Sequence, residues 1–356
     1  MRFDTGWPEP DWPSLIAALL RREDLSIADA TWAMERVMDG EAPDAALAGF
    51  LVALRAKGET VDEIVGFRDA VLGRAVPLPV SPAALDIVGT GGDGFRTVNI
   101  STTAAIVAAA TGVPVVKHGN RAASSASGAS DVLAALGIPL DGGPAEVARV
   151  LAEVGITFVF ASAFHPGFRH AAEARRALGV PTVFNFLGPL CNPARPDANA
   201  IGVASAAAVP LVVGVLQTRG ATALVFRGDD GLDELSTTGH SHIWEVSAGA
   251  VTEHDVDPGD LGLPRARLAD LAGGTPAENA DILRRVLSGE QGAVRDIVLL
   301  NAAAGLVAWE LLHEPAHAER PMARRLREGI ATAAAAVDDG RAAALLDKWI
   351  AASERQ

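Results

Sequence analysis

Asp86-Ile-Val-Gly-Thr-Gly-Gly-Asp93 and, beyond an alanine-rich stretch, Val115-Val-Lys-His-Gly-Asn-Arg-Ala-Ala-Ser-Ser125 decide how this chain reads. Leu85 to Val88 is a short, mostly apolar run ahead of glycine. Ser101 and Thr102 are N-cap candidates for the segment to Thr111, Gly112 stops that segment, and Val113 to Val116 reads as a second strand. The whole is one βαβ unit, and its two loops then share the sheet edge where open α/β folds bind ligands. Gly89, Gly91 and Gly92 allow backbone N–H groups to approach an anion, and Asn99, Ser101 and Thr102 add donors at a helix N-terminus. From Gly89 to Gly128 the only acid is Asp93, against Arg96, Lys117 and Arg121, with His118 beside them. Only three of the 30 Lys+Arg are lysine (Lys57, Lys117, Lys348), so a lysine at the end of a buried strand marks a place for a compact point charge. This positive island in an acidic chain suits a phosphorylated ligand.

Composition narrows the classes. With 356 residues, 49% of them hydrophobic and 21% charged, the chain is long enough for a large core and for two domains. A formal charge of −14 argues against a nucleic-acid or membrane-surface partner, which needs a broad basic face. The apolar stretches 104–116 and 198–216 are broken by Gly, Pro, Ser or Asn, so no membrane span is expected. Met1 to Trp7 lacks the apolar region of a signal peptide, and Cys191 has no second cysteine to bond; both lead to the expectation of a cytoplasmic protein. Within Gly188-Pro-Leu-Cys-Asn-Pro193, Cys191 reads as structural.

Residues 12 to about 77 read as helical. Ser26 opens one helix that Gly40 ends, Asp44 to Lys57 carries an apolar stripe, and Thr60-Val-Asp-Glu63 is a capping box. Pro77 to Pro82 reads as a linker, giving a helical domain over 1–80 and an α/β domain over 81–356. In the latter the spacing gives helices at 130–136 and 144–154, strands at 156–161, 182–186, 201–204 and 223–227, and helices at 169–178 and 206–218. His242 to Val246 and Val251 to Asp255 read as a hairpin, and the chain is mostly helical from Asp270 onward. The fold class is α/β, with a small N-terminal helical domain and a central, mostly parallel sheet. Asp229, Asp230, Asp233 and Glu234 crowd four carboxylates just after a strand. Alone that is a solvated turn, but opposite a phosphate-binding loop such acids hold Mg²⁺, which keeps waters and substrate phosphates as its other ligands.

Gly89-Thr-Gly-Gly-Asp93, Thr97-Val-Asn-Ile-Ser-Thr102, Lys117-His-Gly-Asn-Arg121 with Ser124-Ser125, and Asp230-Gly-Leu-Asp-Glu234 resemble, in order and spacing, the signature of the anthranilate phosphoribosyltransferase family, over nearly the whole chain. The resemblance implies a nucleoside phosphorylase/phosphoribosyltransferase-like fold, with a helix from about 165–180 joining the helical domain, and homodimers formed through that domain. It implies tryptophan biosynthesis, in which the phosphoribosyl group of 5-phosphoribosyl-1-pyrophosphate passes to anthranilate. The sugar pyrophosphate would be bound by Gly89, Gly92, Asp93, Thr97, Asn99, Ser101, Thr102, Lys117, His118, Gly119, Asn120, Arg121, Ser124 and Ser125. Anthranilate would lie near Gly89, His118, Asn120, His165 and Arg175. Ser101, Asp233 and Glu234 would hold Mg²⁺, with two ions per subunit. The family often has a small residue and Met where this chain has Gly167-Phe168, and Val where it has Ala174. Adjacent Arg175 and Arg176 cannot both face a ligand from one helix. Two other readings remain: a pyrimidine nucleoside phosphorylase-like enzyme, which shares the fold but needs no metal pair, and a nucleic-acid-binding relative, which the charge opposes.

Overall fold

The computed structural model describes residues 10–80, 83–121 and 127–355, so Ser124 and Ser125 lie outside the described residues. In chain order, α1 (Trp12–Leu20), α2 (Ile27–Met38), α3 (Asp44–Lys57) and α4 (Val61–Gly73) come first. Then follow β1 (Leu85–Gly89), α5 (Ile100–Ala110), β2 (Val115–Gly119), α6 (Ala129–Ala135), α7 (Pro144–Val154), β3 (Ile156–Phe160) and the single turn α8 (Ala161–Phe164). A 3-10 turn at Pro166–Ala171 runs into α9 (Ala172–Leu178). β4 (Ala198–Gly202), α10 (Val209–Arg219), β5 (Thr222–Gly228), β6 (Ser241–Ser247) and β7 (Ala250–Val256) lead to α11 (Pro276–Leu287), α12 (Ala293–His313), α13 (Met322–Asp338) and α14 (Arg341–Ser353). The chain divides into two units, Met1–Ala75 with His165–Leu187, and Val76–Phe164 with Gly188–Gln356.

In the helical unit the caps lie at the signalled residues: Ser26 accepts the Asp29 N–H, and Thr60 and Glu63 form a reciprocal box. Glu63 is buried; it accepts the Leu25 and Thr60 N–H groups at 2.9 and 2.8 Å and pairs with Lys57 at 3.1 Å, so its charge is fully engaged. Gly66 lets α4 lie against α2, since a β-carbon there would stand 2.6 Å from the Ile27 carbonyl oxygen. Phe50 anchors the core, edge-on to Trp12 and Phe67 at 5.5 and 6.1 Å.

The second unit is built on a seven-stranded sheet in the order β3-β2-β1-β4-β5-β6-β7. β1 to β5 run parallel, and β6 and β7 add the antiparallel hairpin. The order reverses between β1 and β4, so the switch point lies where Gly89 pairs with Gly202 at the strands' carboxyl ends. α12 packs against this sheet; it is the one described helix long and apolar enough to cross a membrane, and 72% of its apolar window is buried, as in a core helix.

Several boundaries differ from those expected of the sequence. β2 begins at Val115, not Val113, because Pro114 has no N–H for the ladder, and it runs on to carry Lys117 and His118 inside the strand. α5 is capped at Asn99 and not at Ser101 or Thr102, which lie inside the helix. β4 spans 198–202, where 201–204 was expected, and α10 starts at Val209 with Pro210 in its first turn. The segment 182–186 is no strand: the Asn185 side chain accepts the Thr182 N–H at 3.0 Å and closes a 3-10 turn at Val183–Asn185. Residues 169–178 split between the 3-10 turn and α9.

Candidate active site

At the switch point two glycines make room for an acid. A β-carbon on Gly89 would stand 2.1 Å from Asp233 Oδ2, and one on Gly202 would stand 1.7 Å from the Asp233 carbonyl oxygen. The Asp233 peptide therefore lies directly over the ends of β1 and β4. Its carboxylate accepts the Gly91 N–H at 2.7 Å, from a loop in which Gly91, Gly92 and Gly94 have φ of +69°, +81° and +79°. Such angles suit glycine. One of the loop amides read from the sequence as an anion donor is thus already committed to Asp233. Glu234 accepts the Ser101 N–H at the start of α5, so each of the two acids is tied to one arm of the βαβ unit.

The four-acid cluster separates into two pairs. Asp230 accepts from Leu232 N–H at 2.9 Å and from the Ser236 and Thr238 hydroxyls, and Asp229 faces His242 Nε2 at 2.9 Å; this pair shapes the turn. Asp233 and Glu234 are buried. Burial, then the neighbouring Asp93 carboxyl, pushes Asp233 up to about 7, and burial followed by Asp233 raises Glu234 well above the usual carboxylate range. Asp93 is raised too, chiefly by burial, while its Oδ1 accepts the Phe95 N–H at 3.0 Å. Acids crowded at such cost fit a hard cation, for which Asp233, Glu234 and the Ser101 hydroxyl offer oxygen ligands. Among the described residues no group of three or more His, Cys, Asp or Glu forms a cation site by itself. A Mg²⁺ site of one or two protein carboxylates needs none.

Lys117 is the cation facing these acids. It is 1% exposed, donates to the Ile87 carbonyl and to Ser101 Oγ at 3.3 Å, and is lowered by burial against the opposing pull of Asp86, Glu234 and Asp233. The geometry beneath it was not legible in the sequence. β1 and β2 register only at Leu85 and Val115. Past that pair, side chains do the pairing. Asp86 Oδ1 accepts the His118 N–H at 3.2 Å; Asn192 Nδ2 donates to Asp86 Oδ2 and to the Val116 carbonyl, both at 2.9 Å; Lys117 itself takes the Ile87 carbonyl. Burial pushes Asp86 up to about 6, against Lys117, which pulls it down.

The remaining candidates of this unit take varied positions. His118 is buried, its Nδ1 facing the Gly188 carbonyl at 3.1 Å. Gly119 ends β2 where a β-carbon would meet Phe158 at 3.0 Å. Asn120 is exposed and accepts from Ser162 Oγ at 3.1 Å; Arg121 is exposed, 3.4 Å from Asp131 and over the Phe160 ring. Thr97 bridges to Ala272, and Thr102 is buried in α5. Asn99 donates to the Ser127 carbonyl at 3.0 Å and accepts from Asn279 at 2.8 Å, so its amide is held by the fold.

In the helical unit, His165 and Arg175 stand in an aromatic file. His165 lies 5.2 Å from Phe168, Phe168 is edge-on to Phe184 at 6.0 Å, and the Arg175 guanidinium sits 5.2 Å from the Phe184 centroid. Arg175 is half-buried, and burial lowers its pKa; Arg176 is exposed and paired with Glu173. Gly167 is required, because a β-carbon would stand 2.7 Å from the Met38 carbonyl oxygen. Phe168 and Phe184 were not among the sequence candidates. Their signal is compositional: phenylalanines gathered in a chain that is only 5% aromatic.

Comparison with known proteins agrees with this architecture. Residues 13–75 match the glycosyl transferase family helical bundle domain and residues 81–343 the a/b domain of the same family. An anthranilate phosphoribosyltransferase of Leifsonia xyli subsp. xyli is 69% identical over 342 residues, spanning 96% of this chain and 98% of that protein; one of Arthrobacter sp. is 54% identical over 96% and 95%. The crystal structure of the Thermus thermophilus enzyme superposes with a TM-score of 0.87 at 42% identity, covering 96% of this chain and 99% of that one. The Saccharomyces cerevisiae enzyme in complex with PRPP and Mg gives 0.86 at 29% identity, covering 98% and 99%. On these matches across both units, the chain belongs to the anthranilate phosphoribosyltransferase family.

Proposed function

We propose that the chain transfers the phosphoribosyl group of 5-phosphoribosyl-1-pyrophosphate to anthranilate, releasing pyrophosphate, as a step of tryptophan biosynthesis. The observation that carries the reading is the buried Asp233–Glu234 pair, held over the switch point by Gly91 and Ser101 amides and opposed by a buried lysine. The homologous yeast enzyme binds PRPP and Mg, and another of its structures holds 4-fluoroanthranilate.

In the mechanism we propose, anthranilate's amine is neutral at pH 7 and needs no base before it attacks the ribose C1. The barrier lies in expelling pyrophosphate while positive charge grows on the ring. Mg²⁺, two ions per subunit in our reading, supplies charge neutralisation of the leaving oxygens when bound, with Asp233, Glu234 and the Ser101 hydroxyl as its protein ligands. Lys117 adds a fixed positive charge in a dry setting, where it acts more strongly than in water. Gly89, Gly92, Asp93, Thr97, Asn99, Thr102, Lys117, His118, Gly119, Asn120, Arg121, Ser124 and Ser125 position the sugar and its phosphates. Arg175 receives the anthranilate carboxylate, with His165 and the neighbouring phenylalanines against the ring; Gly89, His118 and Asn120 are also assigned to anthranilate in this reading. His118, whose Nδ1 faces the Gly188 carbonyl at 3.1 Å, is the candidate for taking the proton that the nitrogen sheds. The enzyme is cytoplasmic and homodimeric in this reading; Leu20, Ile27 and Val52, exposed on α1–α3, support pairing through the helical unit.

The test is loss of anthranilate fluorescence on mixing with enzyme, Mg²⁺ and the pyrophosphate sugar, each omitted in turn. All three must be required. Loss that persists without the sugar overturns the transferase reading.

A further inference from the structure

Helix α12 carries an asparagine where a core helix has little use for one. Asn301 stands between Leu300 and Ala302, fully buried near the middle of 21 residues. Asparagine there competes with the helical backbone and brings polar atoms into an apolar core, so it is stable only if bonded. It is bonded, and to a particular place. Its Oδ1 accepts the Leu235 N–H at 2.9 Å, and its Nδ2 donates to the Leu235 carbonyl at 2.9 Å and to the Ile297 carbonyl at 2.9 Å. Leu235 is buried and belongs to no strand or helix, so its peptide groups need partners from elsewhere. The asparagine amide supplies both, as a neighbouring strand would. Leu235 directly follows Glu234. The segment carrying the two acids is thus held at the Asp233 peptide by the flat floor of Gly202, at the Asp233 carboxylate by the Gly91 N–H, and behind Glu234 by Asn301.

We infer that Asn301 is a positioning residue for the metal-binding acids: by fixing the Leu235 peptide it sets where the Glu234 and Asp233 oxygens stand. This rests on the reading of those acids as ligands of Mg²⁺. Asn301 touches neither substrate nor metal and acts only through the backbone it grips. Residues that orient metal ligands in this way cost 10–100-fold in metal affinity when removed.

The experiment titrates Mn²⁺ by electron paramagnetic resonance against the full-length enzyme, with the pyrophosphate sugar present and anthranilate absent, so that binding is read without turnover. The Mg²⁺ dependence of turnover and thermal melts accompany it. Asn301→Ala is expected to weaken Mn²⁺ binding and raise the half-activating Mg²⁺ concentration by about ten-fold or more, leaving the KM for anthranilate within about two-fold. Asn301→Ser, too short to reach both Leu235 groups, is expected to shift them in the same direction and serves if the alanine variant does not fold. Leu311→Ala opens a cavity in the same helix about 15 Å further along; it lowers the melting temperature and leaves both metal readouts unmoved. Folded Asn301 variants with wild-type Mn²⁺ binding, or a Leu311 variant that shifts the metal readouts equally, overturn the inference. Asp233→Asn with Glu234→Gln separates it from the parent reading. If that double variant loses Mn²⁺ while the Asn301 variants keep it, only the role of Asn301 fails; if it binds Mn²⁺ normally, the metal reading fails as well.

Discussion

Two arginines side by side make a sharp test at the level of single residues. Arg175 is half-buried over Phe184, whereas Arg176 is solvated and spent on Glu173. If Arg175 receives a carboxylate through a charge-assisted pair, Arg175→Ala removes about 1.5–3 kcal/mol and raises the KM for anthranilate roughly ten- to a hundred-fold. The KM for the sugar is expected to stay near wild type. Steady-state kinetics with Arg176→Ala alongside checks the assignment; a larger effect at Arg176 reverses it. Asp86 gives a second test, in stability. Its carboxyl sits near 6 in the fold against a usual 3.8, because burial disfavours its charge. The folded state therefore holds a proton that the unfolded chain releases. This contribution is fully present below pH 3.8 and is lost as pH rises through about 6, amounting to about 3 kcal/mol. Asp86→Asn has no such group, so chemical denaturation from pH 4 to 7 should show the variant gaining on wild type as pH rises. A stability difference that stays flat over that range contradicts the assignment.

Elements, more than residues, show what the sequence could and could not say. β1, its glycine loop, α5 and β2 were legible because their signals are local: glycines at positive φ, an apolar run, a stop at Gly112. The crowd of four acids after β5 was legible for the same reason, whereas the choice of Asp233 and Glu234 among them came from the family resemblance. Boundaries moved wherever a side chain competed with the ladder or a ring lacked its donor, as Asn185 did to the expected strand at 182–186 and Pro114 to the start of β2. Gly202, Asn192 and Asn301 left no local trace, because what they touch is distant in sequence. Asn192 reaches Asp86 and Asn301 reaches Leu235, contacts separated by 106 and 66 residues. Gly202 yields the test at this scale. Its β-carbon would overlap the Asp233 carbonyl, which is backbone and cannot rotate aside. Gly202→Ala should displace the acid segment and reduce turnover by more than about ten-fold, while the far-ultraviolet circular dichroism of the sheet is retained. Wild-type turnover in that variant would show that the close approach is not needed.

Across the whole molecule, an acidic chain sets one of its three lysines, Lys117, against buried carboxylates at the sheet. In the mechanism we propose, those carboxylates serve catalysis through a cation and not the fold. Structural acids would change stability when neutralised and leave the metal requirement alone. Ligands behave the other way: Asp233→Asn with Glu234→Gln relieves repulsion in a crowded turn and should melt no lower than wild type, yet pyrophosphate would leave with its charge poorly neutralised. The measurement is turnover against Mg²⁺ concentration for wild type and the double variant, after exhaustive EDTA treatment. The expected result is a wild type that is silent without Mg²⁺ and restored by it, beside a folded variant that stays at least about a hundred-fold slower at every concentration. Wild-type turnover that survives EDTA, or a double variant with an unchanged Mg²⁺ response, removes the metal role from Asp233 and Glu234.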